Sequence, residues 1–307
     1  MFELQSTHGA LSIMRLAMAD GVKIGFRFFQ PSKPATACAI VLPGGAMHGD
    51  FYVTFARLLA SASIKVVVID PRGHGLSEGT PGYLDRPSQY TDDFACCFST
   101  LRRMHDLPLF VLAHSGSAAI ALNALSILPE RSAAGIALLT PSFADDSTLF
   151  PTDNRFLRRL QSLRYWLGLE APVPAPRSSD EINIRFSYAA YLLARLTGLG
   201  ARRAILTFPA MRNEAPYSYS AAAVAGMRAG RLETLMSAIS CPMFLATGGA
   251  DPYVNSAAVQ TVLPWALPPD CSMTAINYAD GDHYTVLLKS ARALSQWIGA
   301  NIGGHKP

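Results

Sequence analysis

A mostly parallel β-sheet covered on both faces by helices, an α/β fold, is what this 307-residue sequence predicts. Three observations point to it. Short apolar runs alternate with helical segments along most of the chain. Those runs have the length of strands buried on both faces, not of membrane spans. The alternation stops near Pro141 and resumes at Pro242, with a segment of different composition between.

The elements follow in order. Residues 11–29 read as two strands around Asp20-Gly21, a hairpin turn signal. Ala37–Leu42 is an apolar strand that ends at Pro43-Gly44-Gly45. A helical stretch spans Phe51–Ser61, and a strand follows at Val66–Asp70. Residues 89–105 read as a helix. The strand Leu109–Ala113 runs into His114-Ser115-Gly116, the helix Ala118–Leu128 follows, and then the strand Gly135–Thr140. After the interruption come a strand at Pro242–Thr247, a strand at Ser272–Tyr278 and a closing helix at Thr285–Ile298.

The segment between reads as a helical lid inserted after the sixth strand. This divides the chain into a core of residues 1–141 and 239–307 and a lid of residues 142–238. Phe156, Leu160, Leu163 and Leu167 share one helix face, and a second apolar helix is expected near 184–197. The lid holds twelve Arg, no Lys and eight acidic residues; the difference, 12 − 8 = +4, equals the net charge of the whole chain. A basic amphipathic helix bearing Trp166 would suit peripheral contact with an anionic lipid surface. The same arginines also fit a solvated face whose stems cover apolar surface. Leu160, Leu163 and Trp166 are the lid residues expected to line a substrate pocket.

Composition narrows the function classes. Half the residues are hydrophobic and 16% are charged, as in a folded chain. A net charge of +4 without a basic stripe argues against nucleic-acid binding. The five cysteines include no C-x-x-C pair and read as reduced thiols. The first residues lack the pattern of a signal peptide, so a cytoplasmic location is expected. His48, His74, His105 and His114 show no metal-ligand spacing, and no metal or cofactor is expected.

Chemistry concentrates at three strand ends. A strand meets a helix at Ser115, with small residues two positions before and after it, Ala113 and Ser117. A nucleophile elbow, usually G-x-S-x-G, has this form, because the turn is too crowded for large side chains. A serine acting only as a helix N-cap would look similar. A serine nucleophile also needs a base and an orienting carboxylate, in the chain order Ser, Asp, His. Asp251 follows the strand ending at Thr247, and His283 follows the strand ending at Tyr278. Asp280 and Asp282 compete with Asp251 but lie too close to His283 in sequence to come from a neighbouring strand end. Two backbone donors should stabilise the oxyanion: Gly116 N–H at the helix start, and Gly45 N–H in the earlier glycine loop.

At these residues the chain resembles a known group. Asp70–Tyr83 is similar to the D-x-R-G-H-G-x-S-x-G-x-x-G-Y stretch of the monoacylglycerol lipase and lysophospholipase group of α/β hydrolases. Pro43–Tyr52 resembles that group's H-G-x-x-E-H-x-x-x-Y oxyanion loop, with Pro43 and Met47 replacing its His and Glu. The likeness covers roughly residues 25–141 and 235–300 and implies the α/β-hydrolase fold. It also implies cofactor-free hydrolysis of a lipid-like acyl ester, a small-molecule substrate, with Ser115, Asp251 and His283 as triad and Gly45 and Gly116 as oxyanion donors. Arg72 and His74 would then be structural. An acyltransferase would use the same acyl-enzyme chemistry, and a non-catalytic binding module could keep the fold. A dinucleotide-binding fold is disfavoured, because Gly44-x-Ala46-x-x-Gly49 lacks the middle glycine of that fingerprint.

Overall fold

The computed structural model describes residues 2–8, 11–104, 106–143, 185–187, 193–194, 196–197, 200–208, 217–228 and 230–304, with backbone alone at 2–8, 185–186 and 265. A nine-stranded sheet runs through it. Three strands, β1 (Phe2–His8), β2 (Leu11–Ala17) and β3 (Lys23–Phe29), form an antiparallel edge. Six parallel strands follow: β4 (Ala37–Leu42), β5 (Ile64–Ile69), β6 (Leu109–His114), β7 (Gly135–Leu139), β11 (Met243–Gly248) and β12 (Met273–Tyr278). The spatial order is β1-β2-β3-β5-β4-β6-β7-β11-β12. The chain leaves β4 for β5 on one side and returns to β6 on the other. This reversal is the topological switch point at which open α/β sheets bind ligands, outside the carboxyl ends of the strands.

The continuous apolar runs are explained by helices on both faces. Cys38, Ile40 and Leu42 of β4 pack on Phe94, Cys97, Phe98 and Leu101 of α2 (Gln89–Met104) and on α3 (Ser117–Ile127). Ala37, Ala39 and Val41 point the other way, toward Phe55 and Leu59 of α1 (Val53–Ser61) and Leu294 and Trp297 of α7 (Thr285–Asn301). Successive residues of one strand therefore feed two cores, and neither face tolerates polar residues. Among the described residues, no helix is long and apolar enough to cross a membrane.

Two expectations are corrected. The insertion follows the seventh strand of the chain, because Phe2–His8 adds a strand at the sheet edge. The described part of the insertion is also not purely helical. It holds a three-stranded antiparallel sheet of β8 (Arg185–Phe186), β9 (Ala204–Phe208) and β10 (Tyr217–Ser220), followed by α4 (Ala221–Gly226) and α5 (Leu232–Ser237). Strand β8 occupies the start of the stretch near 184–197 where a second apolar helix was expected, and the described residues 193–194 and 196–197 of that stretch are helical. Tyr217 and Tyr219 alternate with serines, a period of two that suits a pleated strand, and Ile205 and Thr207 add β-branched residues. The segment 156–167, with Leu160, Leu163 and Trp166, lies outside the described residues.

The loop after β5 is pinned by buried charges. Asp70 accepts Gly49 N–H at 2.6 Å and Leu76 N–H at 2.7 Å, and it also pairs with Arg27. The guanidinium of Arg72, 6% exposed, forms two hydrogen bonds to Asp93 of α2, at 2.8 and 2.7 Å, and one to Asp20 at 2.7 Å. Burial of the Asp93 carboxyl outweighs the pull of Arg72 and raises its pKa. Removing the cation would leave that carboxyl buried without a partner. Arg72→Met is expected to destabilise the fold by about 3–5 kcal/mol, read as a lower urea midpoint at unchanged m-value. An unshifted midpoint would show that the pair contributes nothing.

Candidate active site

Strand β6 delivers Ser115 at the sheet's carboxyl edge in a left-handed turn, φ +54°, which non-glycine residues adopt only when the surroundings hold them there. Ser115 N–H is anchored on the Leu139 carbonyl at 3.0 Å, so β7 supports the turn. Helix α3 starts immediately after, with Gly116 as its N-cap. The elbow is crowded. Ala113 is fully buried, and the Ser117 hydroxyl donates to the Pro43 carbonyl, tying the elbow to the glycine loop after β4. A Cβ on Gly44 would lie 3.0 Å from the Ser115 Cβ, so that loop's backbone abuts the serine.

His283 Nε2 lies 2.9 Å from Ser115 Oγ, and His283 Nδ1 lies 2.8 Å from Asp251 Oδ2. The carboxylate can only accept, so Nδ1 carries the proton and Nε2 faces the hydroxyl as an acceptor. The Ser115 hydroxyl is therefore engaged with His283 and does not cap α3. The Asp251 side chain is fully buried and that of His283 is 6% exposed. Asp251 Oδ1 also accepts the N–H groups of Tyr253 (2.8 Å) and Val254 (3.0 Å), which fix the carboxylate's orientation. The rival carboxylates are engaged elsewhere: Asp282 accepts from Thr285 and Tyr284 at the start of α7, and Asp280 pairs with Lys289 at 2.7 Å. Glycines let the two loops meet, since a Cβ on Gly248 would lie 2.3 Å from the Gly281 carbonyl oxygen. Tyr253 and Tyr284 flank the His283 ring edge-to-face, at 5.0 and 5.3 Å between centroids.

Around Gly45 the backbone donors divide cleanly. The N–H groups of Gly44 and Ala46 are bound to the hydroxyls of Tyr52 and Tyr219, whereas among the described residues no group accepts from Gly45 or Gly116 N–H. Phe208 and Met227, both from the insertion, lie against these two glycines. A Cβ on Gly45 would sit 3.4 Å from Phe208, and one on Gly116 would sit 3.6 Å from the Met227 sulfur. Among the described residues, no group of three or more His, Cys, Asp or Glu is placed to hold a metal ion. Of the residues expected in the site, Ser115, Asp251 and His283 come together with Gly45 and Gly116 beside them. Leu160, Leu163 and Trp166 are not among the described residues.

Sequence reasoning missed His114 and Tyr52. His114 Nδ1 is 2.6 Å from the Tyr52 hydroxyl, and its Nε2 is 2.9 Å from the His283 carbonyl oxygen. The signal was the histidine directly before Ser115, whose side chain must point opposite to its neighbour on the strand. Burial lowers the pKa of His114 to about 3, helped by the nearby His283, and burial lowers that of His74 to about 4. Both rings are therefore neutral in the fold. Once unfolded they titrate near 6.5, so the unfolded chain binds protons that the folded chain refuses. Stability is expected to be intact above about pH 6.5 and to fall as pH drops from there toward 5, before most carboxylates protonate. Urea midpoints across that range check it; midpoints independent of pH would contradict it.

A family model described as serine aminopeptidase, S33, matches residues 33–283, a span that includes Ser115, Asp251 and His283. The chain is 29% identical over 127 residues to the monoglyceride lipase of Homo sapiens, a stretch covering 41% of this chain and 42% of the relative. It is 30% identical over 100 residues to a monoacylglycerol lipase of Mycolicibacterium smegmatis, covering 32% of this chain and 36% of the relative. Among solved structures, a lipase in an open form superposes with a TM-score of 0.65 at 17% identity, covering 95% of this chain and 99% of that one. Est1E from Butyrivibrio proteoclasticus with ferulic acid bound superposes with a TM-score of 0.63 at 14% identity, covering 93% of this chain and 98% of that one. These last two likenesses are of fold.

Proposed function

The chain belongs to the α/β-hydrolase family described as serine aminopeptidase, S33, and from that premise we propose that it cleaves carboxylic esters through an acyl-enzyme on Ser115. The observation that carries this reading is the hydrogen-bonded chain Asp251–His283–Ser115, at 2.8 and 2.9 Å, ending on a serine in a left-handed turn. In the proposed cycle His283 Nε2 takes the Ser115 proton as Oγ attacks the ester carbonyl carbon. The imidazolium forms beside the buried Asp251 carboxylate, which stabilises it. The oxyanion of the tetrahedral intermediate is received by Gly45 and Gly116 N–H, the second at a helix N-terminus where the dipole favours negative charge. The intermediate collapses as His283 returns the proton to the departing alcohol oxygen. Water then attacks the acyl-enzyme with His283 again as base, which frees the acid and Ser115.

Within this reading the substrate is a lipid-like acyl ester of the monoacylglycerol or lysophospholipid type. Support comes from the two lipase relatives and from the apolar side chains Phe208 and Met227 beside the proposed oxyanion donors. Residues 142–238 act as the lid, with Leu160, Leu163 and Trp166 on the acyl pocket, and no cofactor takes part. The test is hydrolysis of p-nitrophenyl esters of increasing acyl length and of 1-monoacylglycerols. Turnover that rises from acetate to medium or long acyl chains supports the reading. A preference for acetate, or activity on aminoacyl amides alone, overturns the substrate class. Product formed only when an acceptor alcohol is added would identify an acyltransferase.

A further inference from the structure

The two N–H groups flanking Gly45 are held in the same way. Gly44 N–H donates to the Tyr52 hydroxyl at 2.9 Å, and that hydroxyl donates to His114 Nδ1 at 2.6 Å. Ala46 N–H donates to the Tyr219 hydroxyl at 2.6 Å, and that hydroxyl lies 2.6 Å from His74 Nε2. The proton positions follow from the far side of each ring. His114 Nε2–H donates to the His283 carbonyl and His74 Nδ1–H donates to the Arg72 carbonyl, both at 2.9 Å. Each ring thus turns its bare nitrogen to a tyrosine O–H, and each tyrosine oxygen is left as an acceptor for a loop N–H. Both tyrosines are fully buried, and His114 and His74 are 1% and 4% exposed, so water does not compete for these bonds.

The two halves differ in origin. His114 ends β6, and Tyr52 lies in the helical turn Gly49–Tyr52 that follows the β4 loop. Tyr219 lies on β10, inside the insertion, and reaches across 173 residues of sequence to Ala46. Ala46 is the residue that needs holding, because its φ of +57° is a left-handed conformation that an L-residue with a Cβ rarely adopts. If Ala46 relaxed, the Gly45–Ala46 peptide, which the Tyr219 hydroxyl holds at its N–H, would turn, and Gly45 would lose the fixed anchor on its C-terminal side that aims its own N–H in the preceding peptide.

We propose that Tyr219 is a positioning residue for the oxyanion site: its hydroxyl, aimed by His74, holds Ala46 in the left-handed turn and so presents the Gly45 N–H. This rests on the reading of the chain as a Ser115 hydrolase. It makes the insertion part of the catalytic assembly as well as a cover, because one of the two bonds that shape the loop comes from it. It also gives His74 a role through Tyr219, beyond packing the loop after β5.

Tyr219→Phe tests this, since it removes only the oxygen. The ring can keep its contacts with Phe208, Tyr217 and His74. A misplaced donor acts on the transition state more than on bound substrate, so kcat is expected to fall roughly 10- to 100-fold with KM within about threefold of wild type. Affinity for an alkyl trifluoromethyl ketone, which forms an oxyanion adduct on the serine, should fall by the same factor as kcat/KM. If Tyr219→Phe does not fold, two His74 variants carry the test. Gln keeps an acceptor for the tyrosine hydroxyl and should keep most of the kcat, whereas Leu should lose it at unchanged KM. Wild-type kcat in Tyr219→Phe, a loss confined to KM, or equal activity of the His74 variants would overturn the proposal. Ser115→Ala measured beside them separates the two claims. If it is inactive while Tyr219→Phe is normal, only the positioning role fails; if it is fully active, the hydrolase reading fails too.

Discussion

Ser115→Ala is expected to lower kcat about 10⁶-fold toward the best p-nitrophenyl ester, the scale on which a triad nucleophile is lost. The variant removes one oxygen from a turn whose backbone bonds to the Leu139 carbonyl and within α3 are untouched. Alanine also fits the crowded elbow, so stability and near-UV circular dichroism should match wild type. The loss should therefore be chemical, with KM little changed. A small residual rate is expected, because the oxyanion donors and the binding surface remain. A variant that keeps more than about a tenth of wild-type kcat would mean that another group attacks the ester.

Asp251→Asn is expected to cost about 10⁴-fold in kcat, for a reason built into the loop. Oδ1 of Asp251 accepts two backbone N–H groups, from Tyr253 and Val254, while Oδ2 accepts from His283 Nδ1. In asparagine the carbonyl oxygen must take the Oδ1 place, because an NH2 there would face two donors. The amide NH2 is then turned toward His283 and donates to Nδ1. That forces the histidine proton onto Nε2, where it faces Ser115 and cannot accept the serine proton. The geometry would survive while the tautomer is wrong. Steady-state kinetics with a fold control check this, and Asp251→Asn with near-wild-type kcat would remove Asp251 from the mechanism.

Much of this arrangement was legible in the chain, for a physical reason. Strands buried on both faces must be apolar at every position, so Ala37–Leu42 and Leu109–Ala113 stand out as continuous runs, and whatever follows them is placed at the sheet's carboxyl edge. That is why Ser115 and Asp251, just past the buried strands Leu109–His114 and Met243–Gly248, were readable as neighbours, whereas His283 follows the partly exposed edge strand Met273–Tyr278 and was readable from the chain order Ser, Asp, His. The β-sheet of the insertion was missed because its strands run only two to five residues, so that the period of two at Tyr217–Ser220 is too short to stand out against the helical periodicity of the surrounding segment. Strand β1 escaped because Glu3, Gln5, Ser6 and Thr7 give it no apolar run. The tyrosine–histidine pairs escaped for another reason: Tyr52 and His114 are 62 residues apart, and His74 and Tyr219 are 145 apart, so only the folded chain brings them together. Their effect on the Gly45 loop is tertiary, and no local pattern reports it.

The central claim is that Ser115 is the nucleophile, and reaction with an alkyl fluorophosphonate followed by peptide mass spectrometry tests it most directly. One phosphonyl group per chain, on the peptide carrying Ser115, with loss of esterase activity in step with labelling, is the predicted result. Full inactivation with the label on any other residue, or complete labelling of Ser115 with esterase activity intact, would contradict it.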